Sequence, residues 1–274
     1  MELEGREDFC RLIEALRPSL DTLIVAGGWA HRLHRLCPNA RTLSHLPLAT
    51  EDVDVVIERD HTRKAPDLKA TLHAAGFTED FSGDARPPIT YYQLGADNAG
   101  FYAEFLTPLR GATRRRDGTR DETAKIQGVN AQKLRHLELL MIEPWAVEIS
   151  DQTGFPIATS ARVLVPNPAC FIVQKLLVLF DRKPDKRPGD LLYIYDTIET
   201  FSTSIDELAL LWQAHIAPVM SKRAIKRLAK TIDAVFGEMN DMVRDAARLA
   251  AHRHIDPEVM RRVCKAGLDQ ILTQ

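Results

Sequence analysis

Cysteine is scarce in this chain: Cys10, Cys37, Cys170 and Cys264 stand singly, with no C-x-x-C pair among them. That spacing excludes a disulfide framework and argues against thiolate-held metal, and it suits a chain kept in a reducing compartment. Long apolar runs are missing as well. No stretch reaches the ~18 to 20 residues that a membrane helix needs, so no membrane partner is expected. The N-terminal MELEGREDFCRLIEALRP is acidic and amphipathic and lacks the basic start and apolar core of a secretory leader, so the expected location is cytoplasmic. Neither sign of charge dominates. A formal net charge of −2 excludes a protein that coats nucleic acid by bulk charge, while leaving room for a local basic patch. Internal repeats and low-complexity tracts are also absent. What remains is 274 residues, 45% of them hydrophobic, enough for a substantial core and for two domains.

Periodicity divides the chain near residue 166. Before it, Phe9, Leu12, Ile13 and Leu16 recur at helical spacing and stop at Pro18. TLIVA (22 to 26) reads as a buried strand that runs into Gly27 and Gly28, after which Trp29, Ala30, Leu33 and Leu36 mark one face of a helix ending before Pro38. DVDVVI (52 to 57) alternates as a strand, a helix is expected over about 64 to 75, and ITYYQL (89 to 94) with FYAEFL (101 to 106) reads as a hairpin through GADNAG. Residues 107 to 124 are dense in charge and aperiodic, which predicts a mobile loop containing the basic run Arg114 to Arg116. A helix near 131 to 141 and the strands WAVEIS and ARVLV follow. From PNPACFIVQKLLVLFDR onward the pattern is helical. The expected fold class is α+β: a mixed-sheet catalytic domain over 1–165, then an all-α domain over 166–274.

The chemistry concentrates on three segments. Gly27 and Gly28 deliver a strand onto a helix N-terminus, where unpaired N–H groups and the helix dipole favour a phosphate. In DVDVVI, Asp52 and Asp54 are two residues apart and project to the same side of the strand. Two like charges held that close repel unless a cation or a shared proton offsets them. Glu104 adds a third carboxylate inside the apolar run FYAEFL. A phosphate cradle with three carboxylates describes metal-dependent phosphoryl transfer. Other readings stay open: Glu104 as a structural ion-pair member, Trp29 as core, and Asp190 as a helix cap. His31, His34 and Cys37 lie at i, i+3 and i+6 but lack a fourth nearby ligand, so zinc is not expected there.

The order Gly-Gly, helix, D-x-D strand and later acidic strand resembles the nucleotidyltransferase superfamily related to DNA polymerase beta. Lys175 in FIVQKLLVLFDR, with Lys186, Arg187 and Asp190 in KRPGDLLYIYD, is similar to motifs of abortive-infection-type nucleotidyltransferase toxins and of bacterial nucleotidyltransferase-fold proteins without an assigned substrate. GGWA, with Thr50 just before the aspartates, also resembles aminoglycoside and lincosamide adenylyltransferases. These matches span about residues 22 to 196. The chain departs from many members in having Gly28-Trp29 where they carry Gly-Ser, and in the 23 residues between Gly28 and Asp52.

The resemblance implies a nucleotidyltransferase that moves a nucleoside monophosphate from an NTP to an acceptor, with RNA or protein as the acceptor class. It implies that Asp52, Asp54 and Glu104 hold Mg²⁺ or Mn²⁺ and that Gly27, Gly28, Lys175, Arg187 and Asp190 contact the nucleotide. An antitoxin partner follows from the toxin likeness. Two alternatives are an antibiotic adenylyltransferase and a nucleotide-binding scaffold without turnover.

Overall fold

A computed structural model of the chain describes residues 5–59, 66–83, 85–95, 100–114, 118–250 and 252–272. Its first elements are α1 (Arg6–Leu16), β1 (Leu23–Val25), α2 (Gly27–His34), β2 (Asp52–Ile57) and α3 (Leu68–Ala74). The strands β3 (Phe77–Ser82), β4 (Ile89–Leu94), β5 (Tyr102–Pro108), β6 (Thr123–Ile126), β7 (Val129–Leu134), β8 (Trp145–Ile149) and β9 (Ala161–Val165) follow. Six further helices complete the described part: α4 (Pro168–Val178), α5 (Arg187–Thr200), α6 (Ile205–Leu211), α7 (Lys222–Phe236), α8 (Asp241–Leu249) and α9 (Pro257–Ile271). The fold is α+β, with the strands in the N-terminal part and most helices in the C-terminal part. Among the described residues no helix is long and apolar enough to cross a membrane.

The chain separates into two compact units. Met1–Leu33 with Ala49–Pro166 forms a sheet-bearing unit, and His34–Leu48 with Asn167–Gln274 forms a helical unit. In the first, the strand order is β3-β4-β5-β2-β1-β9-β8, with β7 pairing β5 and β6 pairing β7. The sheet is mixed: β1 runs antiparallel to β2 but parallel to β9, and β2 runs parallel to β5. One side of its centre is apolar throughout, with Val53, Val55, Ala103 and Phe105 fully buried. The opposite side is apolar only along part of its length, where Ile24, Val56 and Leu106 pack with Leu137 and Leu140. Two residues earlier on β2 and β5, that same side carries Asp54 and Glu104. α1 closes over α2 through Phe9 and Trp29, whose rings stack with centroids 4.0 Å apart. Trp29 is therefore core.

The helical unit follows its capping signals. Asn167 accepts from the Cys170 amide at 2.9 Å ahead of Pro168, Asn240 caps α8, and Asp256 caps α9 ahead of Pro257. Each cap satisfies an amide that the first turn leaves open, and proline costs nothing there. Gly267 on α9 lies against Ile198 of α5 so closely that a Cβ would meet the isoleucine methyl at 2.7 Å. His34 packs edge-on against Phe171 and Phe201.

Three expectations are corrected. The helix anticipated near 131 to 141 is strand β7 followed by a short 3₁₀ turn over Leu137–Met141. Gln127 and Gly128 both adopt positive φ, which makes a two-residue hairpin that folds β7 back on β6. β7 then extends the sheet along β5, so pairing overrides the helical spacing of its apolar residues. β3, which the sequence pattern did not suggest, pairs along its full length with β4. Helix α5 begins at Arg187, so Asp190 sits inside its first turn and is not the N-cap. Residues 64 and 65 of the expected third helix, residues 96–99 of the hairpin turn, and Arg115 and Arg116 lie outside the described residues.

Candidate active site

β2 and β5 run parallel with Asp52 opposite Tyr102 and Asp54 opposite Glu104. Residues paired in this way project to one side of the sheet, on strands roughly 4.8 Å apart. Asp52, Asp54 and Glu104 therefore share one face; the spacing in the sequence anticipated this for Asp52 and Asp54, and strand register adds Glu104. β4 adds Tyr91 opposite Glu104 from the other edge of β5. All three carboxylates and both tyrosines are half-buried.

The electrostatics report the same gathering of negative charge. The Tyr102 phenol is held above its ordinary value by burial first, then by Asp52, Glu104 and Asp54. Tyr91 is raised by burial and by Glu104. An anion formed on either ring would add to a negative field, so both stay protonated. Their rings meet edge to face, 5.4 Å apart, and wall the carboxylate face. Tyr102 was legible in the sequence, being two residues from Glu104 on one strand, but a phenol between apolar residues gave no separate signal.

The Gly-Gly turn touches this face directly. Ala26 donates its amide to the Asp54 carbonyl at 2.8 Å, and α2 starts at Gly27 immediately afterwards. Gly27 has φ +60, and a Cβ there would overlap Asp54 Oδ2. Only glycine allows the backbone to turn this close to the carboxylate. Thr50 donates its hydroxyl to Asp52 Oδ1 and fixes that carboxylate from the strand entrance. The result is a set of oxygen donors beside a helix N-terminus. Such a set suits a hard divalent cation and a phosphate together.

Lys175, Arg187 and Asp190 all lie in the helical unit. Lys175 donates to Asp190 Oδ1 at 2.6 Å and Arg182 donates to Oδ2 at 3.0 Å, so the buried carboxylate is bracketed by two cations. Burial alone would raise Asp190, but Lys175 and Arg182 outweigh it and hold the carboxyl below its usual range. The Lys175 ammonium also sits over the rings of Phe171 and Tyr193, 4.9 and 4.6 Å from their centroids. Arg187 donates to the carbonyls of Arg182 and Phe180. A second titratable cluster in this unit escaped the sequence reading: His45, Asp196 and Glu199 bring ligand atoms within 4.8 Å of one another. A guanidinium already occupies it, since Arg253 contacts both Asp196 Oδ1 and His45 Nε2.

No curated protein matches the chain. A family model described as nucleotidyltransferase matches residues 7–217. That match takes in β1, the Gly-Gly turn, β2 and β5, and covers well over half of the 274 residues. With three acidic side chains gathered on one sheet face beside a glycine turn, the chain belongs to the nucleotidyltransferase family.

Proposed function

We propose that the chain transfers a nucleoside monophosphate from an NTP to an acceptor hydroxyl and that Asp52, Asp54 and Glu104 carry the reaction. The observation that supports it is the in-register pairing of Asp54 with Glu104, with Asp52 on the same face and the Gly27 turn against Asp54. The donor set is all oxygen and wholly acidic, which fits Mg²⁺ or Mn²⁺ held by Asp52, Asp54 and Glu104. When bound, such an ion supplies charge neutralisation for the triphosphate and lowers the pKa of the acceptor hydroxyl. Gly27 and Gly28 receive the triphosphate on the amides at the start of α2. Glu104 accepts the proton from the acceptor oxygen, which attacks the α-phosphorus as the bond to pyrophosphate breaks. Thr50 keeps Asp52 oriented through this step.

The acceptor belongs to RNA or protein in this reading, and the likeness to growth-arresting toxins adds an inhibitory role relieved by a partner protein. The four cysteines are free and buried, which accords with action in a reducing cytoplasm. Incubation with each α-labelled NTP, Mg²⁺ or Mn²⁺ and total cell extract tests the reading. Label should enter a macromolecule, and Asp54→Asn should lower incorporation by at least ~10²-fold while the protein stays folded. Undiminished incorporation by that variant would remove the assignment.

A further inference from the structure

α7 carries its charge differently from the two helices that follow it. On α8 and α9, Arg244, Arg248, Arg261, Arg262 and Lys265 are each paired with an acid three or four residues away. Between Glu207 and Asp233 the sequence has no acidic residue at all, and α7 places Lys222, Arg223, Lys226, Arg227 and Lys230 within that gap. Arg227 reaches Asp181 at 2.7 Å. Among the described residues Lys222, Arg223, Lys226 and Lys230 enter no ion pair, and all four are exposed.

This arrangement works against the helix that bears it. Lys222, Lys226 and Lys230 recur at i, i+4 and i+8, so they stack on one side roughly 6 Å apart, and like charges so placed repel. Lys222 and Arg223 also occupy the first turn, the end where the helix dipole disfavours cations. An anionic chain laid along the stripe relieves both penalties at once.

We infer that the exposed stripe of α7 docks the phosphate backbone of a single-stranded nucleic acid. The step between successive lysines is close to the phosphate-to-phosphate step of an extended strand, which a row of point charges can follow without reading bases. An anionic membrane is the poorer occupant, because the apolar side of α7 is spent in the core: Leu228, Ile232, Val235 and Phe236 are buried. An acidic protein surface is poorer as well, since the stripe has no aromatic anchor of the kind that carries such interfaces. This inference does not rest on the proposed transfer chemistry, and a chain net charge of −2 means that the binding must come from this local patch.

The test uses the full chain without NTP, so turnover plays no part. Fluorescence anisotropy is followed with a labelled mixed-sequence oligoribonucleotide, its deoxy counterpart, phosphatidylserine vesicles and poly-glutamate, across a salt series. The wild-type chain should bind the single strands, and Lys222→Gln/Lys226→Gln/Lys230→Gln should weaken binding at least tenfold and flatten the log–log salt slope by about 2. The RNA and DNA arms show which strand is preferred. The thermal midpoint of the triple variant should hold or rise, because repulsion is removed from an exposed face. Equal binding by the triple variant, or binding to vesicles or poly-glutamate without binding to either single strand, would overturn the inference. Arg262→Gln on α9, whose charge is already compensated, should leave affinity unchanged.

Discussion

Asp54 and Asp190 are both aspartates in regular secondary structure, yet their surroundings oppose each other. Asp54 stands on β2 with Asp52 and Glu104 on the same face, three acids gathered by strand register. Asp190 stands on α5, buried between the Lys175 ammonium and the Arg182 guanidinium. Within the sheet-bearing unit, like charge accumulates where a cationic ligand would offset it. Within the helical unit, each buried acid meets a cation supplied by the protein itself, Asp196 by Arg253 as Asp190 by Lys175. The first arrangement gathers like charge on one sheet face; the second is internally neutral and serves to hold helices and loops together. Removing one member should therefore act on activity in the first case and on stability in the second.

The largest effect on stability is expected at the buried pair. Lys175→Met leaves Asp190 with Arg182 alone, a partner that is 50% exposed, and should cost about 3 kcal/mol or more in urea unfolding. Adding Asp190→Leu should recover most of that loss, because no unpaired charge is then left inside. Failure of the double variant to recover would mean that the pair does more than neutralise itself.

His45 sharpens the comparison through pH. Burial first, then the charges of Arg253 and Arg35, hold its imidazole down at about 4. Nε2 faces the Arg253 guanidinium, which a neutral ring can accept and a protonated one cannot. The unfolded chain takes up this proton near its ordinary 6.5, so the folded state is favoured above that value and loses up to about 3 kcal/mol as pH falls to about 4. His45→Gln should flatten that part of the stability profile. A variant profile as steep as the wild type would assign the acid loss elsewhere.

Smaller effects belong to the sheet face. Gly27→Ala places a Cβ where Asp54 Oδ2 lies and puts alanine at φ +60, which should cost about 1 to 3 kcal/mol and displace the carboxylate. Activity should fall further than stability does, as comparison of kcat/KM with the unfolding midpoint would show. Asp52→Asn retains an acceptor for Thr50 and should change stability by no more than about 1 kcal/mol while labelled-NTP incorporation is lost. A large loss of fold in this variant would make Asp52 a structural residue and blur the contrast between the units.

Local pattern made much of this legible. β2 is bounded by the residues the alternation indicated, Asp52–Ile57, because a strand with one buried face has a period that cannot slip without exposing its valines. Glu104 was visible as a charge that interrupts an apolar strand. Other features depended on contacts that sequence spacing does not encode. Lys175 reads as a snorkelling lysine on an apolar helix until α5 brings Asp190 to its ammonium from fifteen residues along the chain. Arg253 is 208 residues from His45, so nothing local links them. β7 was misread because its apolar residues fit a helix as well as a strand, and the left-handed pair Gln127-Gly128 decided the matter.

By itself, then, the sequence determined that Asp52 and Asp54 share a face, that a helix follows the Gly27-Gly28 turn, and that acid and glycine stand in an order suited to phosphate chemistry, since these depend on periodicities of two and 3.6 within a few residues. The tertiary structure decided which strand lies beside which, and so that Glu104 pairs with Asp54 and that both tyrosines wall the acids. It also decided which charges are neutralised from within and which are left facing outward. Pairing and burial join segments far apart in the chain, and no local periodicity carries that information.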